Sequence, residues 1–283
     1  MTTRRKFLQQ SGTLALSTLL LPHLSRSASI GKPVGLQLYT LGDLMITDPI
    51  GTLHQLAAIG YDAVEPYGGN FEADPKGLRA KADALGLAIP TAHMPLALLE
   101  SDRAKAIDMA KTLGLETVIL PHVGGDARPS TVEGWKAFGH RLSEHAGHLA
   151  EAGLKLGWHN HDFEYARLSD GSRPIDHILA GNGVRFEADI GWIFRAGADP
   201  AKEIRKESAK IAAFHIKDTT RPIIAKDDGW TDVGAGVIDW KALLPAIAGT
   251  GATLLVMEHD NPSDWRSYAA NSYKYVSGLI GRG

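Results

Sequence analysis

LKLGWHNHDFEY, residues 154–165, is a short apolar run that ends in a packed cluster of His159, Asn160, His161, Asp162 and Glu164. A strand turns successive side chains to opposite faces, so Gly157, His159 and His161 share one face while Leu156, Trp158 and Asn160 share the other. Two imidazoles then project the same way at a strand end, which suits a site better than a core. The same ending recurs along the chain: YDAVEPYGG carries Glu65, IPTAHMPL carries His93 and VILPHVG carries His122. VRFEADIGW carries Asp189, AAFHIKDT carries His215 and LLVMEHD carries Glu258.

Working outward from these runs, strands are predicted to begin at about Pro33, Ala63, Ala88, Thr117, Lys155, Val184, Ile211 and Thr253. Amphipathic segments lie between them, at residues 50–59, 75–85, 102–113, 132–152, 199–207 and 240–247, and residues 265–280 close the chain. Gly60, Gly86, Gly114 and Gly153 fall at helix C′ positions, and Ser130 and Asp239 fall where N-caps are wanted. Strand and helix alternating at this spacing predict parallel βαβ units, and eight of them predict a single-domain (βα)₈ barrel of the α/β class. A doubly wound open sheet is the alternative.

In a barrel, chemistry sits at the C-terminal mouth on residues from several strands. The faces that hold the polar strand ends read Gly35, Gln37, Tyr39; Ala63, Glu65; Ile89, Thr91, His93; and Val118, Leu120, His122. They continue Gly157, His159, His161; Glu187, Asp189; Ala213, His215, Lys217; and Leu254, Val256, Glu258, Asp260. Small or apolar residues lie low and ionisable ones high, as a filled barrel with a site at its mouth requires. His140, His145 and His148 belong instead to a solvated helix face.

Residues 1–29 read as a twin-arginine export signal rather than fold. Arg4 and Arg5 precede an apolar stretch from Leu14 to Leu21, too short to span a bilayer, and small residues at Ser27, Ala28 and Ser29 offer a processing site. The expected division is therefore 1–29 signal and 30–283 barrel, with a periplasmic address. The first 29 residues hold four bases and no acid, so the net charge of −2 becomes −6 without them. That is a poor footprint for nucleic acid. There is no cysteine, so any metal is held by imidazole and carboxylate.

Five of the motifs, HNHDFEY, FEADIGW followed by AGADP, FHIKD, VGAGVID and VMEHDNP, resemble in order and spacing the sugar phosphate isomerase/epimerase family. These are the xylose isomerase-like barrels that include tagatose-type 3-epimerases, inosose dehydratase and the endonuclease IV enzymes. The resemblance runs over residues 33–280, and the chain looks like a branch with HNH on the fifth strand and a Trp beyond the sixth-strand Asp. It implies one divalent ion held by strands five to eight in the pattern Glu, Asp, His, Glu. Asp189, His215 and Glu258 match the last three. At the first position the chain has His159 followed by Asn160 where many members have Glu followed by Asn, so either His159 is the ligand, the preferred reading, or His161 reaches in. Two imidazoles and two carboxylates leave the ion a stronger Lewis acid than three carboxylates would, and half-nitrogen ligation favours Mn, Co, Zn or Fe over Mg.

The function expected from the resemblance is a metal-dependent isomerase or epimerase that acts on a sugar or keto-sugar through an enediolate. The alternatives are a lyase or dehydratase of 3-keto-glycosides or related keto-sugars, and a non-catalytic periplasmic sugar-binding protein. Glu258, His161, Lys217 and Glu65 are the expected proton-moving residues, and His93, His122, Trp192 and Asp260 the expected substrate contacts. Trp192 and Trp230 are candidates to wall the sugar. The expected partner is a small sugar, with neither nucleic acid nor membrane once the signal is removed; an oligomer is compatible with the sequence.

Overall fold

Eight short parallel strands, each followed by a helix, form the frame of residues 30–224 and 226–282, the part of the chain that the computed structural model describes. The expected export signal lies outside the described residues. The strands are β1 (Val34–Gln37), β2 (Ala63–Glu65), β3 (Thr91–His93), β4 (Thr117–Leu120), β5 (Lys155–His159), β6 (Val184–Asp189), β7 (Ile211–Ile216) and β8 (Leu254–Met257). They pair in the order β2-β1-β8-β7-β6-β5-β4-β3. The remaining seam is stitched by Ala88 N–H to Asp62 O at 2.9 Å, Val64 N–H to Ala88 O at 2.9 Å and His93 N–H to Pro66 O at 2.8 Å, which completes the barrel. The fold is the expected (βα)₈ barrel in one domain.

The outer helices are α1 (Pro49–Ile59), α2 (Pro75–Ala84), α3 (Arg103–Leu113), α4 (Val132–Glu151), α5 (Pro174–Leu179), α6 (Pro200–Lys206), α7 (Trp240–Ala248) and α8 (Trp265–Leu279). Six begin in the same way. The carboxylates of Asp48, Asp74, Asp102, Asp199, Asp239 and Asp264 each accept a backbone N–H from the first turn and satisfy a donor that the helix cannot. For α4 the cap is Thr131, which accepts from Gly134 N–H, and not the expected Ser130. The six-residue α5 carries no hydrophobic period long enough to be read from sequence.

Outward-facing residues such as Leu36, Val64, Leu156, Trp158, Phe186, Phe214 and Leu255 pack beneath the helices in one continuous core. Inside the barrel Ala63, Ala213, Leu254 and Val256 form a small plug. Gly157 is needed beside it: a Cβ there would lie 2.5 Å from Ile119 Cδ1. That contact corrects one expected face. The register His93, Ile119, Gly157 across β3, β4 and β5 turns Thr117 and Ile119 inward, so Val118 and Leu120 pack outward instead. β4 ends at Leu120, and Pro121 breaks the alternation before His122, which reaches the mouth from the following loop.

A second buried staple shapes the mouth. The Asp218 carboxylate accepts from Thr219 N–H at 2.8 Å, Gly234 N–H at 2.9 Å and Trp240 Nε1–H at 2.8 Å. The VGAGVID segment is thereby folded back over β7.

Candidate active site and metal centre

His159 ends β5, Asp189 ends β6, His215 lies on β7 and Glu258 follows β8, so four consecutive strands deliver one side chain each to the mouth. One ligand atom from each of the four lies within 4.8 Å of the others, and all four side chains are buried. His159 Nε2 and His215 Nδ1 each stand 3.9 Å from Asp189 Oδ2, and His215 Nδ1 stands 3.1 Å from Glu258 Oε2. Ligands bound at about 2.1 Å around one ion sit roughly 3–4 Å apart, so the spacing fits. Asp189 supplies the sharpest indication. Its Oδ1 accepts Trp192 N–H at 2.8 Å and caps the short helix Ile190–Arg195, while its Oδ2 is buried with no partner. An orphaned buried carboxylate oxygen facing two imidazoles is what a cation would satisfy. Two imidazoles and two carboxylates suit a borderline divalent ion.

Local sequence explains how these groups are held. Asn160, on the opposite face of β5, accepts Asp189 N–H at 2.9 Å through Oδ1 and donates to Asp189 O at 3.3 Å through Nδ2. It thus ties the end of β6 to β5. Glu164 is fully buried and accepts Trp158 Nε1–H at 3.1 Å and His161 N–H at 2.8 Å, which sets the turn that carries His161. Burial pushes its carboxyl up to about 8, against these hydrogen bonds.

Below the four-residue group lies a second buried layer. Glu187 Oε2 is 2.8 Å from His93 Nε2, 3.1 Å from His215 Nε2 and 3.2 Å from His159 Nδ1. Glu65 Oε1 is 2.8 Å from His215 Nε2 and 3.1 Å from His93 Nε2, and accepts Gln37 Nε2–H at 2.7 Å. His93, His159, Glu187 and His215 make a second group with ligand-like spacing. Burial alone would lower the His93 imidazole, but Glu65 and Glu187 carry it up to about 9.

Above, Lys217 is fully buried and donates from Nζ to Glu258 Oε2 at 3.1 Å and to Asp260, with its ammonium 4.3 Å from the Trp230 ring centre. Burial would raise the Glu258 carboxyl, yet Lys217 and His215 outweigh it and hold Glu258 well below the usual carboxylate range. Asp189 goes the other way: burial pushes it up to about 7 against the pull of Lys217 and His215. Burial, with Lys217 nearby, pulls the His161 imidazole down to about 3. His161 is therefore neutral at physiological pH.

A cavity of about 470 Å³ opens on this cluster. His93, His159, His161, Glu258 and Asp260 line its floor and His122, Tyr39, Tyr67 and Glu72 its sides. Of the expected substrate contacts, His93, His122 and Asp260 are at the cavity wall. Trp192 is not. Its ring stands 5.4 Å from the His161 ring and 4.8 Å from the Trp230 ring, behind the wall rather than in it. Glu65 and Lys217, expected to move protons, are likewise buried behind His93, His215 and Glu258 without lining the cavity. The second histidine of the fifth-strand motif, His161, lies at the wall outside both ligand-spaced groups, with Nδ1 unpartnered. Sequence reading gave no role to Asn160, Glu164 or Glu187. The partners of Asn160 and Glu187 lie on neighbouring strands or across the barrel, whereas those of Glu164, which are Trp158 and His161, are close in sequence, and a buried acid inside an apolar run was the one available signal.

Residues 53–276 match the xylose isomerase-like TIM barrel family. A rhizopine catabolism protein, MocC, of Rhizobium meliloti is 25% identical over 134 residues, a match that spans 42% of this chain and only 40% of that protein. Among solved structures, a sugar phosphate isomerase/epimerase from Parabacteroides distasonis superposes with a TM-score of 0.76 at 20% identity, covering 90% of this chain and 97% of the other. The IOLI protein, solved with a bound zinc atom, gives a TM-score of 0.69 at 14% identity over 88% of this chain and 98% of its own. The probable 3-DHS dehydratase AsbF of Bacillus anthracis gives 0.66 at 12% identity over 87% and 98%.

Proposed function

Since the chain belongs to the xylose isomerase-like TIM barrel family, we propose that it is a divalent-metal-dependent isomerase or epimerase of a sugar or keto-sugar. The observation that carries this reading is the convergence of His159, Asp189, His215 and Glu258 from four adjacent strands on one point at the cavity floor, where His159 and Glu258 line the cavity and Asp189 and His215 lie buried behind them, with Asp189 Oδ2 unpartnered. A divalent ion held by these four residues would supply Lewis acidity toward a substrate carbonyl and its neighbouring hydroxyl. Manganese, cobalt, zinc or iron suits the half-nitrogen donor set better than magnesium.

The chain's own groups then divide the work. Glu258, kept ionised by Lys217 and His215, takes the proton from the carbon next to the carbonyl. Lys217, itself held by Asp260, keeps that carboxylate in place. The Glu258 carboxyl, now protonated, returns the proton to the neighbouring carbon of the enediolate, which completes isomerisation and restores the carboxylate, while His161, a neutral imidazole at the cavity wall, steadies a substrate oxygen by a hydrogen bond. The substrate is an uncharged sugar. Glu72, Glu258 and Asp260 line the cavity with no lysine or arginine among the lining residues, so a phosphate would meet carboxylates. Periplasmic residence, by way of the twin-arginine segment at residues 1–29, belongs to the same proposal.

A second reading, a lyase or dehydratase, is favoured by one feature. With His159 where family epimerases carry a second carboxylate, a symmetric two-carboxylate proton exchange is lost, and an enediolate that loses a β-substituent needs one base only. Incubation of the metal-loaded protein with a panel of sugars and 3-keto-glycosides in deuterated water separates the two. A product of unchanged formula with solvent deuterium at one carbon is expected. Loss of water or an alcohol replaces the first reading by the second, and turnover indifferent to chelator removes both.

A further inference from the structure

Glu187 touches neither solvent nor the cavity, yet one of its oxygens serves three imidazoles on three different strands. An imidazole that gives its N–H to one partner presents the lone pair of its other nitrogen elsewhere, so the partner decides which nitrogen can bind a cation. At His159 the nitrogen facing Glu187 is Nδ1, at 3.2 Å, and the one facing Asp189 is Nε2. At His215 the order is reversed. Nε2 faces Glu65 at 2.8 Å and Glu187 at 3.1 Å, and Nδ1 faces Glu258 and Asp189. The His93 nitrogen between the two carboxylates is Nε2.

We infer that Glu187, with Glu65 beside it, is the positioning residue of the metal centre: it fixes His159 as the Nδ1–H tautomer and His215 as the Nε2–H tautomer. The two ligand imidazoles therefore bind through unlike nitrogens, His159 by Nε2 and His215 by Nδ1. The lower group of His93, His159, Glu187 and His215 consequently holds protons and not a second ion. To ligate there, His159 and His215 would have to give up the N–H bonds that aim their other nitrogens at Asp189. This inference rests on the metal reading proposed above and adds to it which atoms bind and what holds them.

Two measurements test it on the full chain. In long-range proton–nitrogen correlation spectra of the zinc-loaded wild-type protein, His159 is expected to show a protonated Nδ1 and a ligated Nε2, and His215 a protonated Nε2 and a ligated Nδ1. The same tautomer at both residues overturns the inference. In cobalt titrations of the metal-stripped protein, Glu187→Gln is expected to lower affinity about 10–100-fold while leaving the bound-cobalt absorption spectrum close to wild type, as loss of an orienting carboxylate does. Wild-type affinity in that variant makes Glu187 a packing residue and ends the proposal. Abolished binding in Glu187→Gln alongside retained binding in Asp189→Asn makes Glu187 a ligand of the lower group and reverses it. If the wild type itself takes no cobalt, the metal reading fails first and the positioning role falls with it.

Discussion

Glu187 and Asp189 stand two residues apart on β6, both fully buried and both turned into the barrel, and they meet opposite environments. The lower carboxylate has three imidazole nitrogens within 3.2 Å of one oxygen. The upper one has a single oxygen engaged in capping a helix and the other facing two imidazoles at 3.9 Å with no partner. One step of the pleat, about 7 Å along the strand, separates an acid whose Oε2 is shared among three imidazoles from one whose Oδ2 has none within hydrogen-bond distance, although Glu187 Oε1 is likewise buried without a partner. Residue type, burial and strand face do not distinguish them. What distinguishes them is whether the oxygen that faces the imidazoles is already within hydrogen-bond distance of them.

The comparison can be broken from the upper side first. Glu258→Gln removes a carboxylate from the ligand group and the expected base together, and leaves the buried Lys217 with Asp260 alone. Turnover is expected to fall on the order of a thousandfold or more, read as kcat on whichever substrate the panel identifies. Asp189→Asn comes next, expected to cost more metal affinity than the roughly 10–100-fold loss of an orienting carboxylate. Elemental analysis after dialysis gives the comparison directly, and a variant that keeps its ion would place Asp189 with Glu187 among the structural acids. His159→Glu restores the commoner fifth-strand residue but sets a carboxylate against Glu187. It is expected to retain a divalent ion, shift preference toward manganese or magnesium and lose most native turnover. An unchanged metal profile there, with a site emptied by His161→Ala, would move the fifth-strand ligand to His161.

Smaller effects test the supports. Burial raises the Glu164 carboxyl from its ordinary 4.5 to about 8, so the folded protein retains a proton that the unfolded chain releases. That contribution to stability is complete below about pH 4.5 and is lost as the pH rises through about 8. A fall in unfolding free energy of roughly a few kcal/mol across that window is expected, and Glu164→Gln should flatten it. Equal pH slopes in variant and wild type would place the titration elsewhere. Asn160→Ala strips the Asp189 backbone N–H of its partner, a loss of about 2 kcal/mol, or roughly 4–8 °C in melting temperature. Calorimetry of the metal-free protein isolates this from metal binding.

Most of the fold was legible because its signals are local. The alternation of short apolar runs with capped amphipathic segments located eight strands to within three residues, and glycine at Gly60, Gly86, Gly114 and Gly153 marked helix ends that indeed take positive φ. The face of β4 was not legible. Val118 and Ile119 are equally apolar, and the choice between them depends on Gly157 leaving room for Ile119 across the strand pair. The polar strand ends picked out His159, Asp189, His215 and Glu258, which do converge. Depth was hidden, however. Glu65 and Glu187 read as mouth residues like the rest, and only the pairing of Glu187 with His93, 94 positions away in sequence, places them beneath the cluster. Trp192 misled for the related reason that an aromatic beside a site motif carries no mark of which side of the wall it stands on.

The comparison of the two layers comes down to where the ion sits, and anomalous scattering at the cobalt edge from crystals of the cobalt-loaded protein measures that directly. A single peak is expected within bonding distance of His159 Nε2, Asp189 Oδ2, His215 Nδ1 and the Glu258 carboxylate. A peak among His93, His159, Glu187 and His215, or no peak at either layer, would contradict it.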